Sequence, residues 1–385
     1  MARLLERPTA PTDAPQSANA ESGESKGTME SPRPTHTLRL RSLLALPVLG
    51  VALVIVIVVA AAFGAVAIPL EATAQILLNQ TQLFHFAQHW PATDEIILLQ
   101  LRLPNVLGAS LVGAALAVAG TLFQGLLRNP LADPLLLGSS SGAGLGAILA
   151  FGLTLTASTY WLGFSLVAVF AFIGALLAVA LVYLLALRGG RTAVVTLLLA
   201  GVAVGAILTA AQTLLILTNA QLQQQLASIY FWLSGGVDVT EWSQIGVATL
   251  LIVPTILLCL PLAPSLDAFA LGEEMAAHLG VNVERRKLLI VTLASLLVAS
   301  AVSLSGLVGF VGLVAPHLCR IALGPRHRLL LPTSALAGAI FVTLADLLAR
   351  TLAAPTVLPL GVLTALVGGP FFLYLLRYAG ERYRW

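Results

Sequence analysis

Few residues in this chain have the type and spacing to do bond chemistry. Cys259 and Cys319 both lie inside apolar segments, which argues against a disulfide framework or a metal site and reads as packing. His317, in APHLCR, is a lone histidine that reads as bonded to nearby backbone, with no ligand role. Lys26 and Lys287 are the only lysines, and no GxxxxGK[ST] phosphate loop surrounds either, so a nucleotide has no cradle here. Asp346 is the one carboxylate well inside an apolar run, and Arg350 stands one helical turn away. No cofactor and no metal site is expected. What remains is a concentration of charge: residues 270–287, ALGEEMAAHLGVNVERRK, hold six Asp, Glu, Lys and Arg side chains and a histidine between long apolar runs.

Within that stretch Leu271, Met275 and Leu279 recur at i, i+4 and i+8, one apolar stripe, while Glu273, Glu274 and His278 fall on other faces. Gly272 suits an N-cap, the two glutamates suit the positive end of the helix dipole, and Gly280 is a natural stop. The spacing predicts a helix of about two turns, too short to stand alone. It either lies on lipid headgroups or is presented to a partner.

The elements that hold it in place are membrane helices. With 58% hydrophobic and 10% charged residues and a mean hydropathy of +0.95, the chain is too apolar for a soluble domain. Runs such as LLALPVLGVALVIVIVVAAAFGAVAI are apolar at nearly every position. That pattern suits a spanning helix and not an alternating barrel strand. Residues 1–40, rich in Pro, Ser, Thr and Glu, read as a disordered tail; residues 41–385 read as one transmembrane domain. The charges form no basic stripe for nucleic acid.

Apolar runs place spans near 43–69, 104–127, 136–154, 161–187, 193–217, 243–262, 288–308, 312–323, 330–352 and 358–378, about ten helices in an all-α polytopic fold. The element at 312–323, interrupted by Pro316, reads as a broken piece packed inside the bundle. Alternation puts nearly every Lys and Arg on one side, with only Arg102 and Arg350 opposite. The charge rule makes that basic side cytoplasmic and puts both termini there. AVAGTLFQGLLRNP (117–130) and SLSGLVGFVGLVAP (303–316) echo one another in opposite directions, as an inverted repeat would. Gly201 and Gly205, and Gly142, Gly144 and Gly146, read as faces for close helix contact.

From about residue 100 to 378 the chain carries, in order, LRLP, LVGAALAVAGTLFQGLLRNPLADPLLLGSSSGAGLGA, FWLSGG, LGEEMAAHLG, LSGLVGFVGLVAPHLCR, LADLLAR and LPLGVLTALVGGPFFLYLL. In these motifs it resembles the FecCD-type permeases, the membrane subunits of ATP-driven importers for iron-siderophores, haem and cobalamin. The resemblance implies a permease that dimerises, receives cargo from an extracytoplasmic binding protein and is driven by two cytoplasmic ATP-binding subunits. No bond is made or broken in the permease itself. It further implies that Gly272, Glu273, Glu274, Ala276, Leu279 and Gly280 form the coupling segment seated on the ATPase, that Arg102 and Arg350 meet acidic residues of the binding protein, and that Asn129 and Leu131 narrow the path on the inner side. Asn105 stands where the family usually carries a further Arg. On residues alone, Arg350 pairs with Asp346, Arg102 snorkels at a helix end, and RNPLADP is a proline-fixed turn.

Overall fold

A computed structural model describes residues 36–64, 66–81, 83–153, 160–161 and 163–378. Most of the stretch read as a tail lies outside them, as do Arg382 and Arg384. In chain order the elements are α1 (His36–Ala62), α2 (Leu70–Gln80), α3 (Ala92–Ile96), α4 (Leu103–Leu127), α5 (Ser139–Gly152), a hairpin of β1 (Tyr160–Trp161) and β2 (Phe164–Ser165), α6 (Leu166–Ala186), a hairpin of β3 (Leu187–Arg188) and β4 (Arg191–Thr192), and α7 (Val194–Thr218). Then follow α8 (Ala220–Gln224), α9 (Leu226–Leu233), α10 (Trp242–Cys259), α11 (Ala263–Ala270), α12 (Glu273–His278), α13 (Val283–Ser305), α14 (Val311–Leu323), α15 (His327–Thr351) and α16 (Leu360–Tyr378). Among the described residues 7 helical stretches are long and apolar enough to cross a bilayer, and two shorter apolar helices, Val311–Leu323 and Leu360–Leu375, join them. All ten apolar runs correspond to helices, and both antiparallel hairpins are two residues deep.

Four boundaries differ from expectation. The helix α1 begins at His36, inside the stretch read as a tail. It ends at Ala62, short of 69, because the guanidinium groups of Arg102 and Arg350 take its last carbonyls and Pro69 opens α2. The second span is longer than 104–127: α3, a π-helical turn (Ile97–Arg102) and α4 run without a break over 36 residues. The third is shorter, because Asp133 caps a 3-10 turn (Pro134–Leu137) before α5 begins.

At the centre of the bundle is α4, whose most apolar window is 83% buried, against 11% for α1 and 17% for α7. Glycines let the neighbouring helices approach it. A Cβ at Gly113 would overlap the carbonyl of Gly338 on α15, and one at Gly120 would overlap that of Gly312 on α14. The two echoed segments therefore meet. Gly142 and Gly146 face α6, Gly144 faces Gln212 of α7, and Gly201 lies against Leu136 and Leu137. These small-residue faces serve packing within the subunit.

Pro316 does not break α14, which runs through it as one helix of 13 residues with its first seven buried. A proline frees the carbonyl four residues earlier, here that of Gly312. The Gln124 amide donates to that oxygen at 3.0 Å, and Arg320 Nη2 donates to Gln124 Oε1 at 3.0 Å. The side chain from α4 supplies the donor that the ring removes, so the helix survives.

Candidate functional site

The charged stretch is built as α11, a turn, α12, a second turn and α13. Gly272, at φ +106°, and Gly280, at φ +82°, take backbone conformations that other residues rarely adopt, and between them α12 is six residues long. The Ala276 N–H donates to Gly272 O at 2.9 Å, and the Val281 N–H returns to Ala276 O at 3.0 Å, a closure that satisfies the end of so short a helix. Asn282 then caps α13 through Oδ1, which accepts from the Arg285 N–H at 3.2 Å.

Ala276 is the one buried side chain of α12. The stripe of Leu271, Met275 and Leu279 faces outward, at 66%, 50% and 61% exposure. Only Met275 lies within α12, Leu271 being the C-cap of α11 before the Gly272 turn and Leu279 the C-cap of α12. The predicted stripe thus becomes three exposed apolar residues around a shorter helix, and they do not hold α12 to the protein. That attachment is polar. Lys287 Nζ, on the first turns of α13, donates to Glu273 Oε2 at 2.6 Å, to Glu284 Oε1 at 3.2 Å and to Thr192 O at 2.7 Å. Glu274 is exposed, and a groove of about 580 Å³ runs past Glu273, Glu274, Met275 and His278 to Arg128.

Arg128 adopts the left-handed conformation (φ 49°) that ends α4. Asn129 follows it, exposed, with its Oδ1 accepting from the Leu131 N–H at 3.0 Å. Leu131 packs with Leu313, Val314 and Leu375, between α14 and α16. The structure thus makes RNPL a capped turn with one residue outward and one inward. Beside it a cavity of about 680 Å³ is lined by Arg128, Asp267, Arg320, Arg326 and His327. Of the basic residues that alternation placed on one side, Arg128, Arg320 and Arg326 share the lining of this one cavity.

The other end carries Arg102 and Arg350. Arg102, 8% exposed, donates to the carbonyls of Ala61, Ala62 and Val66. Arg350 pairs with Asp346 (Nη2–Oδ2 2.8 Å) and donates to Ala60 O at 3.2 Å. Both therefore cap the C-terminus of α1, where a helix concentrates negative dipole. Asn105 bonds to Leu101 O and to the Val239 N–H.

His317 is buried, with its ring edge-on to Phe371 at 6.0 Å. Both cysteines are buried and unbridged. Among the described residues no group of three or more His, Cys, Asp or Glu side chains could hold a metal ion. Sequence reasoning missed Lys287, Gln124 and the pair of His327 with Asp267 (2.7 Å). The partners of Gln124 and His327 lie 60 or more residues away, and of those of Lys287 only Glu284, at i, i+3, is local enough to read from sequence.

The chain is similar to known proteins over most of its length. The hemin transport system permease protein of Yersinia pestis is 46% identical over 286 residues, covering 73% of this chain and 83% of that one. The cobalamin import system permease protein of Halobacterium salinarum is 42% identical over 287 residues, covering 74% and 75%. An Fe(3+)-citrate import system permease protein of Bacillus subtilis is 35% identical over 346 residues, covering 89% and 97%. A solved ABC transporter assigned to the metal-chelate type, in an inward-facing conformation, superposes with a TM-score of 0.73 at 30% identity, over 86% of this chain and 98% of that one. The model of the FecCD transport family matches residues 52–378, and the chain belongs to that family, a multi-pass permease subunit of an ABC importer in which ATP hydrolysis lies in a separate subunit.

Proposed function

We propose that the chain is one copy of a permease dimer that passes a metal-chelate complex inward across the cytoplasmic membrane by alternating access. The named cargoes of its relatives are haemin, cobalamin and Fe(3+)-citrate. They share one chemistry, a metal ion wrapped in an organic chelator, and ferric siderophores belong to the same class. The basic end is the cytoplasmic one, with both termini, and residues 41–385 are the permease domain. Two copies of an ATP-binding subunit dock there.

The lever is α12. Gly272 and Gly280 set its two turns, Glu273 and Ala276 hold it to the bundle, and Glu274 and Leu279 face the ATPase. The observation that carries this reading is the exposure of Leu271, Met275 and Leu279 around a helix fixed from behind. Asn129 and Leu131 close the inner end of the path where two copies meet. At the outer end Arg102 and Arg350 meet acidic residues of an extracytoplasmic binding protein, with the net positive charge that orients and speeds the encounter coming from Arg102, because Asp346 offsets Arg350.

The test is a permease carrying Glu274→Arg with Leu279→Asp, reconstituted with its ATPase and binding protein in vesicles. Uptake of a radiolabelled ferric siderophore, haemin or cobalamin, whichever the unaltered protein accumulates, is expected to vanish while the dimer persists on size exclusion. Unchanged uptake would overturn the lever assignment. If none of the three is accumulated by the unaltered complex, the cargo class is wrong.

A further inference from the structure

Lys287 is one of two lysines in the chain and is 3% exposed. An ammonium has three donors, and all three are used, each on a different element or turn: Glu273 of α12, Glu284 of α13 itself, and the carbonyl of Thr192 in β4. Glu284 closes the ring, its Oε2 accepting from the Thr192 N–H at 3.0 Å. The hairpin of β3 and β4 is the whole connection between α6 and α7. One buried side chain therefore ties the lever helix, the helix that follows it and the link between two further membrane helices.

Apart from that tie α12 is held by the buried Ala276 and by the backbone bonds of its two turns. It is flanked by two glycines at positive φ; nothing lies within 4 Å of a Cβ at Gly280, and only the tip of Arg128, at 3.8 Å, approaches Gly272. A push on such a helix would be absorbed by its two turns.

We propose that Lys287 is the positioning residue that transmits movement of α12 to α13 and to the α6–α7 link, so that ATPase motion reaches the membrane helices instead of dissipating in the loop. The inference rests on α12 being the lever. In the complete complex, Lys287→Met keeps the length of the side chain and removes every donor. Capture of the ATPase and the rate of ATP hydrolysis are expected to stay within about two-fold of the unaltered complex, while cargo moved per ATP falls about ten-fold, within the usual range of a coupling free energy. A side chain that merely stabilised the fold would lower yield, hydrolysis and uptake together and leave that ratio unchanged. If Lys287→Met is not recovered folded, Glu284→Gln carries the comparison. It weakens the hairpin's hold on Glu284 while leaving Lys287 on both Thr192 O and Glu273, and an intermediate fall in the ratio is expected.

An unchanged ratio in the variant recovered overturns the proposal. The Glu274→Arg, Leu279→Asp permease separates the two levels. If its uptake is unchanged, the lever reading fails and the role of Lys287 falls with it. If its uptake is lost while the Lys287→Met ratio holds, only the role of Lys287 is wrong.

Discussion

At Gln124, 2% exposed, one amide serves two needs that would otherwise stand unmet in a low-dielectric interior: the carbonyl freed by Pro316 and the guanidinium of Arg320. Removing one partner from such a set leaves a buried polar group, at a cost of about 1–3 kcal/mol. Gln124→Met should therefore lower the thermal midpoint of the detergent-solubilised protein. Gln124→Glu, which keeps the acceptor for Arg320 and loses the donor to Gly312, should lower it less. Equal midpoints for all three would mean that α14 tolerates its proline by other means. The sequence shows TLFQG as a polar residue in an apolar run and shows Pro316 as a break. It does not show that Gln124 meets the carbonyl that Pro316 frees, that of Gly312, 188 residues away, because no local periodicity encodes a contact between helices. The same holds for Arg350. Its pairing with Asp346 is legible at i, i+4, whereas its bond to Ala60, 290 residues distant, is not.

The membrane helices were legible, since a span of about twenty apolar residues declares itself by length, whereas the short helices α2, α3, α8, α9 and α11 carry no such run and were missed. Which face each helix buries was not legible: α4 is apolar all round, so no stripe marks its neighbours. The glycines carry that information, in a form readable only once the helices are packed. Gly120→Ala, whose Cβ would overlap the Gly312 carbonyl, should force α4 and α14 apart and sharply reduce folded yield. Gly246→Ala, at a position in α10 with nothing within 4 Å, should be neutral or slightly stabilising, as alanine is in a helix. Comparison of the two by size-exclusion recovery checks this; equal recovery would mean that the α4–α14 contact is not limiting. The helix α12 was legible for the opposite reason, since its stops are local glycines and its charges stand out. The direction of its apolar stripe was hidden, because Arg285, Arg286 and Lys287 read as one run of surface charge although Lys287 is buried.

As a whole the molecule offers outward-facing apolar surface on α1 and α7, consistent with lipid and a second copy around it, and one polar device, α12, reaching beyond it. Among the described residues its enclosed carboxylates are Asp346, locked to Arg350, and Asp133, which caps the 3-10 turn by accepting from the Leu135 N–H. That leaves little for a carrier driven by protons, which needs a titratable group free to change charge. The central claim is that this chain is a gate moved from the cytoplasmic face by a separate motor. The most direct test loads vesicles with ATP and measures accumulation of the chelate by the permease alone, by the permease under an imposed pH gradient, and by the permease with its ATPase and binding protein. Accumulation against the gradient only in the complete assembly is the expected result; accumulation by the permease alone, with or without the pH gradient, would contradict it.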